Sequence, residues 1–235
     1  MNAVPSRAAA AFIGPLELQS FPERISARVV KADAEPRVHG YSVQGDLARY
    51  YGVADLWLLC LTGELPEPAL ARAFSVACWF LAPVSVADAS VHAAVLARLC
   101  GTPPSATIAT AALSLAEQAR FEVESLGDLL EFLSSRSGEL PAHHRAQTPA
   151  QCQELEPLLA ALRLNAAPFP EIGHRPTLTA ALFAILFECG LKSSEQLQAA
   201  LVFARLPIAT AEAFAEQRCN FRQYPANLPR YEYEP

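Results

Sequence analysis

Two adjacent histidines are the first feature of this sequence that could support chemistry. His143 and His144 lie in the polar stretch 134–148, which also contains a glycine and a proline. A pair of imidazoles can bind a transition metal ion, but a zinc site uses three or four protein ligands. No third ligand has a useful spacing along the chain. The sequence therefore predicts a solvated loop here and no metal site.

Arg205 is a second candidate, because a guanidinium can bind a carboxylate through two parallel hydrogen bonds. It ends the segment Phe203-Ala204-Arg205. The same group could instead form a structural salt bridge with Glu212 or Glu216. Both interpretations stay open from the sequence.

His174 and His92 are the other histidines that could belong to a site. His174 lies in a loop segment between Pro170 and Pro176, and it is either a substrate contact or a partly exposed loop residue. His92 lies within a helical pattern, where packing or a place on the helix surface is the expected role.

Helices must position these side chains, because strand-like alternation appears only in residues 24–31. Gly63 and Pro68 illustrate the signals that end one helix and begin the next. Residues 106–115 are apolar on nearly every face, which predicts a central helix buried on all sides. The predicted helices cover residues 47–61, 66–81, 90–100, 106–115, 127–133, 149–164, 179–189 and 194–218.

Composition excludes several classes of protein. Hydrophobic residues make up 52% of the 235 residues and charged residues 18%, which is typical of a globular chain with a large core. The longest apolar runs, 73–82 and 180–187, are shorter than the ~20 residues of a membrane span, so we expect neither a membrane helix nor a secretory signal. A net charge of −6 without a basic stripe argues against nucleic acid.

The six cysteines are widely spaced and none forms a pair with metal-ligand spacing. They are interpreted as small buried residues in a reducing compartment. We therefore expect a cytoplasmic protein.

Several segments together resemble one known family. Residues 38–48 read Val-His-Gly-Tyr-Ser-Val-Gln-Gly-Asp-Leu-Ala, and residues 56–66 form a leucine-rich helix pattern that ends in Thr-Gly-Glu-Leu-Pro. Residues 90–97, 106–115 and 177–191 extend the similarity. The sequence resembles the citrate synthase family, and its style is nearer to the shorter citryl-CoA-lyase-like branch.

The resemblance implies an all-α fold, a citrate-synthase-like large helical domain with the small domain mostly missing. It divides the chain into an N-terminal segment 1–36 with a short strand, a helical domain 37–219 and an extended tail 220–235. The helical domain would include the polar loop near 134–148 and a shortened small-domain remnant near 165–178.

The resemblance also suggests which catalytic groups are present. Members of the family condense acetyl-CoA with oxaloacetate, using two histidines, an aspartate base and arginines that clamp carboxylates. The first histidine motif falls on residues 114–122, which contain no histidine, and the aspartate falls on Thr179. His174 partly matches the second histidine, while Arg205 and, displaced, Arg230 match the substrate-binding arginines.

Three functions remain open at this point. The first is a catalytically degenerate partner or regulatory subunit, in a homodimer or in a heterodimer with a full-length paralogue. The alternative is an active acyl-CoA condensing or citryl-CoA-cleaving enzyme, an acyltransferase with rearranged catalytic residues. The third is a sensor of CoA or a small carboxylate. No cofactor is expected, and acetyl-CoA or another acyl-CoA would be the substrate of an enzyme.

Overall fold

The computed structural model describes residues 26–31, 33–173 and 175–217, and helices make up most of these segments. The segment before the first helix contains three two-residue strands, β1 (Val30–Lys31), β2 (Arg37–Val38) and β3 (Tyr41–Ser42), which pair antiparallel in that order. The strand expected over 24–31 is therefore reduced to its last two residues within the described part.

A two-residue turn joins β2 to β3. Val38 pairs with Tyr41, and the residues between them, His39 and Gly40, have φ angles of 47° and 89°. Positive φ at both turn positions is the geometry that suits a tight antiparallel hairpin. Glycine takes this conformation without strain at the second position.

The helices follow in chain order after a π-helical turn at Val43–Leu47. Their bounds are α1 (Ala48–Tyr50), α2 (Val53–Thr62), α3 (Pro68–Leu81), α4 (Ala89–Leu99), α5 (Pro104–Ser125), α6 (Gly127–Ser135), α7 (Pro149–Leu164), α8 (Leu178–Glu188) and α9 (Ser194–Ala215). A short 3-10 turn, Ala142–His144, interrupts the loop between α6 and α7. Most helix ends lie within a few residues of the predicted ones.

The prediction of one continuous helix over 47–61 is wrong at its start, because the helix is interrupted between α1 and α2. Tyr51 and Gly52 have extended backbones. The Gly52 N–H donates a hydrogen bond of 2.7 Å to the Asp55 carboxylate, which caps α2 as a new helix. The end of α2 agrees with the prediction, since Gly63 has a φ of 83°.

The prediction that residues 106–115 form a helix buried on every side is also wrong. These residues lie in α5, which starts earlier and continues to Ser125. Its buried residues recur every fourth position and form one stripe, while Leu113 is exposed. The reason is that α5 packs against α4 and α9 only along this stripe. Alanine occurs on both buried and exposed helix faces, so the composition of this segment does not show which face is buried.

The helix buried on all sides is α8. Every residue from 180 to 187 is buried, because α8 is packed by α3, α6 and α7. This helix lies in the main apolar cluster of the protein. It begins at the N-cap Thr177, whose hydroxyl accepts a hydrogen bond of 3.3 Å from the Ala180 N–H.

Helix α9 contributes residues to both apolar clusters of the protein. Leu197 and Leu201 pack in the main cluster, whereas Ala209 and Ala213 pack in a second cluster with α4 and α5. Arg205 lies between these two halves. A buried charge therefore sits where the two apolar clusters meet along α9.

By length and composition alone, α9 could cross a membrane, in contrast to the expectation of no membrane helix. It has 22 residues, and 39% of its most apolar window is buried inside the protein. A core helix of a soluble protein meets the same test. In the described residues α9 packs against α4 and α5, and Arg205 is buried near its middle.

Truncation of a buried leucine in α8 tests this architecture. Leu186→Ala should reduce the free energy of unfolding by about 2–5 kcal/mol, because it leaves a cavity in a fully packed site. Leu164→Ala, at the exposed end of α7, is the matched control and should change it by less than about 0.5 kcal/mol. Urea denaturation measures both. Equal losses would contradict the placement of α8 at the centre.

Candidate functional site

Arg205 is held by three hydrogen bonds in a nearly closed environment. Its Nη1 donates to Oε2 of Glu122 at 2.6 Å and its Nη2 donates to Oε1 at 3.0 Å. The Nε donates to the main-chain oxygen of Leu81 at 3.2 Å. Arg205 is buried and Glu122 is partly buried. The two Nη atoms of the guanidinium therefore bind the carboxylate of Glu122, which belongs to the same chain.

The partner of Arg205 differs from the two carboxylates that the sequence suggested. Glu212 and Glu216 lie towards the end of α9 and are exposed, whereas Arg205 points into the junction of α3, α5 and α9. Glu122 reaches that junction from the last turns of α5. The sequence separation of 83 residues explains why local spacing could not identify this pair.

Near the same junction, the buried residues of α5 pass from one apolar cluster to the other. Ala111 and Leu115 pack in the second apolar cluster, and Ala119 packs in the main cluster. Glu122 follows Ala119 by one turn, so the ion pair with Arg205 connects both helices near the boundary between the clusters. Removing either partner would leave a desolvated charge at that boundary.

Residues 114–122, on which the first histidine motif of the resembled family falls, are continuous helix within α5. The bulky side chains of this stretch, Arg120 and Phe121, lie on the helix surface. Arg120 bonds Glu117 and Glu124 on the helix surface, and its guanidinium lies 4.2 Å from the ring centre of Phe121, which is exposed. Glu122 is the residue of this stretch that faces Arg205.

Of the remaining predicted site residues, the structure describes only Thr179 and His92. His174 and Arg230 lie outside the described residues. Thr179 is exposed in the first turn of α8. His92 is half-buried on α4, in agreement with a packing role.

A second polar cluster forms where the sequence predicted a solvated loop. Asp128, in the first turn of α6, lies against both histidines of the 3-10 turn. Its Oδ1 is hydrogen-bonded to Nε2 of His144 at 3.1 Å, and its Oδ2 lies 3.0 Å from Nε2 of His143. The His144 side chain is only 7% exposed, which corrects the expectation of a solvated pair. Asp128 was missed because it lies on a different element, 15 residues before His143.

The environment of Asp128 favours its ionised form. Partial burial raises the pKa of the carboxyl group, but the hydrogen bond and charge of His144 outweigh this effect. The Leu129 N–H and the charge of His143 add to the stabilisation of the carboxylate. The net result is a pKa of Asp128 below its ordinary value.

The described cysteines are free thiols. Burial raises the pKa of Cys78 and of Cys189 to about 12, which leaves both thiols unreactive near neutral pH. Cys60 and Cys100 are exposed, contrary to the expectation that the cysteines are buried. Cys219 lies outside the described residues.

Comparison with solved structures gives the fold. Citryl-CoA lyase from Hydrogenobacter thermophilus superposes with a TM-score of 0.60 at 17% sequence identity, and the alignment covers 90% of this chain and 96% of that chain. This chain has the fold of citryl-CoA lyase. The relationship agrees with the branch that the sequence resembled, and the all-α fold class is confirmed. Because 96% of the lyase chain is covered, the comparison lends no support to the expected loss of a small domain.

Two ATP citrate lyases share the citryl-CoA lyase fold over part of their length. A mutant of the Methanosaeta concilii enzyme in complex with (3S)-citryl-CoA has a TM-score of 0.55 at 13% identity, covering 92% of this chain and 43% of that one. The Methanothrix soehngenii enzyme, in complex with citrate and coenzyme A, has a TM-score of 0.57 at 12% identity, covering 100% and 47%. This chain spans less than half of either enzyme.

Sequence comparison identifies no relative. No protein-family model matches the chain, and no curated protein matches it.

A cavity of about 260 Å³ is a further concave feature of this citryl-CoA-lyase fold. It is lined by apolar residues that include Phe169 and Ile185, and by Arg136 and Glu188. These two charged residues form an ion pair with each other. As at Arg205, the cation of the cavity is already paired with a carboxylate of the same chain.

Disruption of the Arg205 pair should cost much more than disruption of a surface pair. Glu122→Ala leaves the buried guanidinium without its carboxylate and should lower the free energy of unfolding by about 3 kcal/mol. Glu117→Ala breaks the exposed pair with Arg120 on the same helix and should cost less than about 1 kcal/mol. Urea denaturation compares the two variants. If Glu122→Ala costs no more than Glu117→Ala, the pair does not hold the junction.

Proposed function

We propose that this chain is a citrate-synthase/lyase-like protein that has lost catalysis and acts as a partner subunit of a helical dimer, with itself or with a full-length paralogue. The observation that carries the proposal is the bidentate bond between Arg205 and Glu122. The arginine that would bind a substrate carboxylate is occupied by a carboxylate of its own chain. A competing ligand would have to displace Glu122 from a partly buried position.

The reaction of the resembled family needs several groups, and the binding of Glu122 to Arg205 affects one of them. Removal of a proton from the methyl group of a thioester needs a fixed base and electrostatic stabilisation of the enolate. Thr179 has a hydroxyl where the family has the base, and a hydroxyl does not accept that proton near neutral pH. Residues 114–122 offer no imidazole to stabilise the enolate. With Arg205 neutralised by Glu122, carboxylate binding is weakened as well.

Exposed aromatic side chains on α3 and α5 support a role in association. Trp79 is two residues before Leu81, whose carbonyl binds Arg205, and Phe121 is next to Glu122. Both aromatic side chains are exposed, by 76% and 61%. Exposed aromatic residues beside charged ones are typical of protein interfaces. We therefore propose that Trp79 of α3 and Phe121 of α5 contact a second copy of the chain or the paralogue.

Charge and thiol chemistry support the remaining parts of the proposal. The net charge of −6 does not favour nucleic acid, and the described cysteines are unpaired, as in a reducing compartment. We propose a cytoplasmic protein that needs no cofactor. A small carboxylate or CoA remains the ligand class that the fold suggests.

A thiol-release assay tests the loss of catalysis. The purified full chain should release no CoA above the blank from acetyl-CoA with oxaloacetate, because the base and the enolate-stabilising group are missing. Cleavage of citryl-CoA releases oxaloacetate and no thiol, so it is followed separately by reduction of oxaloacetate with NADH, and it should also be absent. An active citrate synthase is the positive control. Turnover by the wild type that is abolished in Arg205→Lys would contradict the proposal and show that Arg205 serves an active site.

Sedimentation velocity tests the dimer. Wild-type protein at micromolar concentration should sediment as a dimer, and Trp79→Ser or Phe121→Ser should weaken self-association by at least about tenfold, as expected for an aromatic anchor of an interface. Leu164→Ser, an exposed position on α7, is the control and should leave the dimer unchanged. A wild-type monomer that also fails to bind a co-encoded paralogue would contradict the proposed association.

A further inference from the structure

We propose that Asp128, His143 and His144 form a binding site for a divalent first-row transition metal ion of the zinc type. One ligand atom of each residue lies within 4.8 Å of the corresponding atoms of the other two. This group is the one set of three clustered ligands found in residues 26–31, 33–173 and 175–217. It is separate from Arg205 and does not depend on the proposed function.

The distances suit a shared ion. Each carboxylate oxygen of Asp128 already lies 3.0–3.1 Å from one imidazole Nε2. Zinc binds imidazole nitrogen and carboxylate oxygen at about 2.0–2.2 Å, so a tetrahedral site separates neighbouring ligand atoms by about 3.4 Å. A small rotation of the side chains would bring the oxygen–nitrogen pairs to that spacing, and the ion would take the place of any proton on Nε2, which passes to Nδ1 or to solvent.

The main chain holds the two histidines in place. The His144 N–H donates to Pro141 O at 2.9 Å within the 3-10 turn, and the Thr177 N–H at the start of α8 donates to His144 O at 2.8 Å. Arg145, the next residue, pairs with Pro176 in an isolated β-bridge. Asp128 is fixed separately by the first turn of α6. Such preorganisation lowers the cost of assembling ligands around an ion.

The exposure of the three side chains gives the ion a path from solvent. His144 is buried, while His143 is 65% exposed and Asp128 is partly exposed. An ion entering from the His143 side would meet an inner ligand that is already oriented by the fold. Three protein ligands leave at least one coordination position for water.

The chemistry of the donor set indicates the class of ion. Two neutral imidazoles and one carboxylate suit zinc, cobalt, nickel or copper, whereas magnesium and calcium prefer oxygen ligands alone. A divalent ion would also join the first turn of α6 to the loop that precedes α7. We therefore expect binding to stabilise the folded chain without any requirement for turnover.

Zinc titration against a chromophoric chelator tests the site. The full chain, purified without a polyhistidine tag and stripped with a stronger chelator, should bind one zinc ion. His143→Gln and Asp128→Asn should each weaken zinc binding by about 10–100-fold or more, since even changes outside the ligand shell have effects of that size. His92→Gln, a histidine on α4 outside the cluster, is the control and should bind zinc as the wild type does.

Two further observations keep the test decisive. His143 is exposed, so its variant should remain folded even if His144→Gln does not, and circular dichroism verifies this. Cobalt bound in place of zinc should show visible absorption without a thiolate charge-transfer band, which excludes the exposed Cys60 and Cys100 as ligands. The proposal would be overturned if the wild type bound no zinc, or if the His143→Gln and Asp128→Asn variants bound zinc with the affinity of the wild type.

Discussion

The structure depends on one buried ion pair, between Arg205 of α9 and Glu122 of α5. Burying a guanidinium is costly unless it is paired and hydrogen-bonded, and here Glu122 and the Leu81 carbonyl supply three acceptor contacts. The pair lies where the two apolar clusters meet along α9. Its hydrogen bonds join α5 and α9 to the last residue of α3, and they occupy the bidentate face of the Arg205 guanidinium.

Most of the helical framework could be predicted from the sequence, because its boundaries depend on local chemistry. The left-handed Gly63 ends α2 and Pro68 begins α3 where the sequence indicated. Burial could not be predicted in the same way. Residues 106–115 and residues 180–187 are both almost entirely apolar, yet only the second set is enclosed on all sides. The difference lies in how many helices pack around each segment, which is a property of tertiary arrangement.

The candidate sites show the same division between residue type and partner. Arg205 was identified from its chemistry, but Glu122 was not, because the two residues are 83 positions apart. His143 and His144 were identified as a pair, but their distance along the chain from Asp128 hid the third ligand. In both cases the sequence indicated one partner of the contact. The other partner, Glu122 or Asp128, lies on a different helix that only the tertiary structure brings close.

In the proposed function Glu122 closes Arg205 to a substrate carboxylate, which calorimetric titration with oxaloacetate measures. We expect no measurable binding by the wild type and detectable binding by Glu122→Gln, in which the competing negative charge beside the guanidinium is removed. Arg205→Lys, combined with Glu122→Gln, should remove that binding. Tight binding of oxaloacetate by the wild type, lost in Arg205→Lys, would show that Glu122 does not close the site.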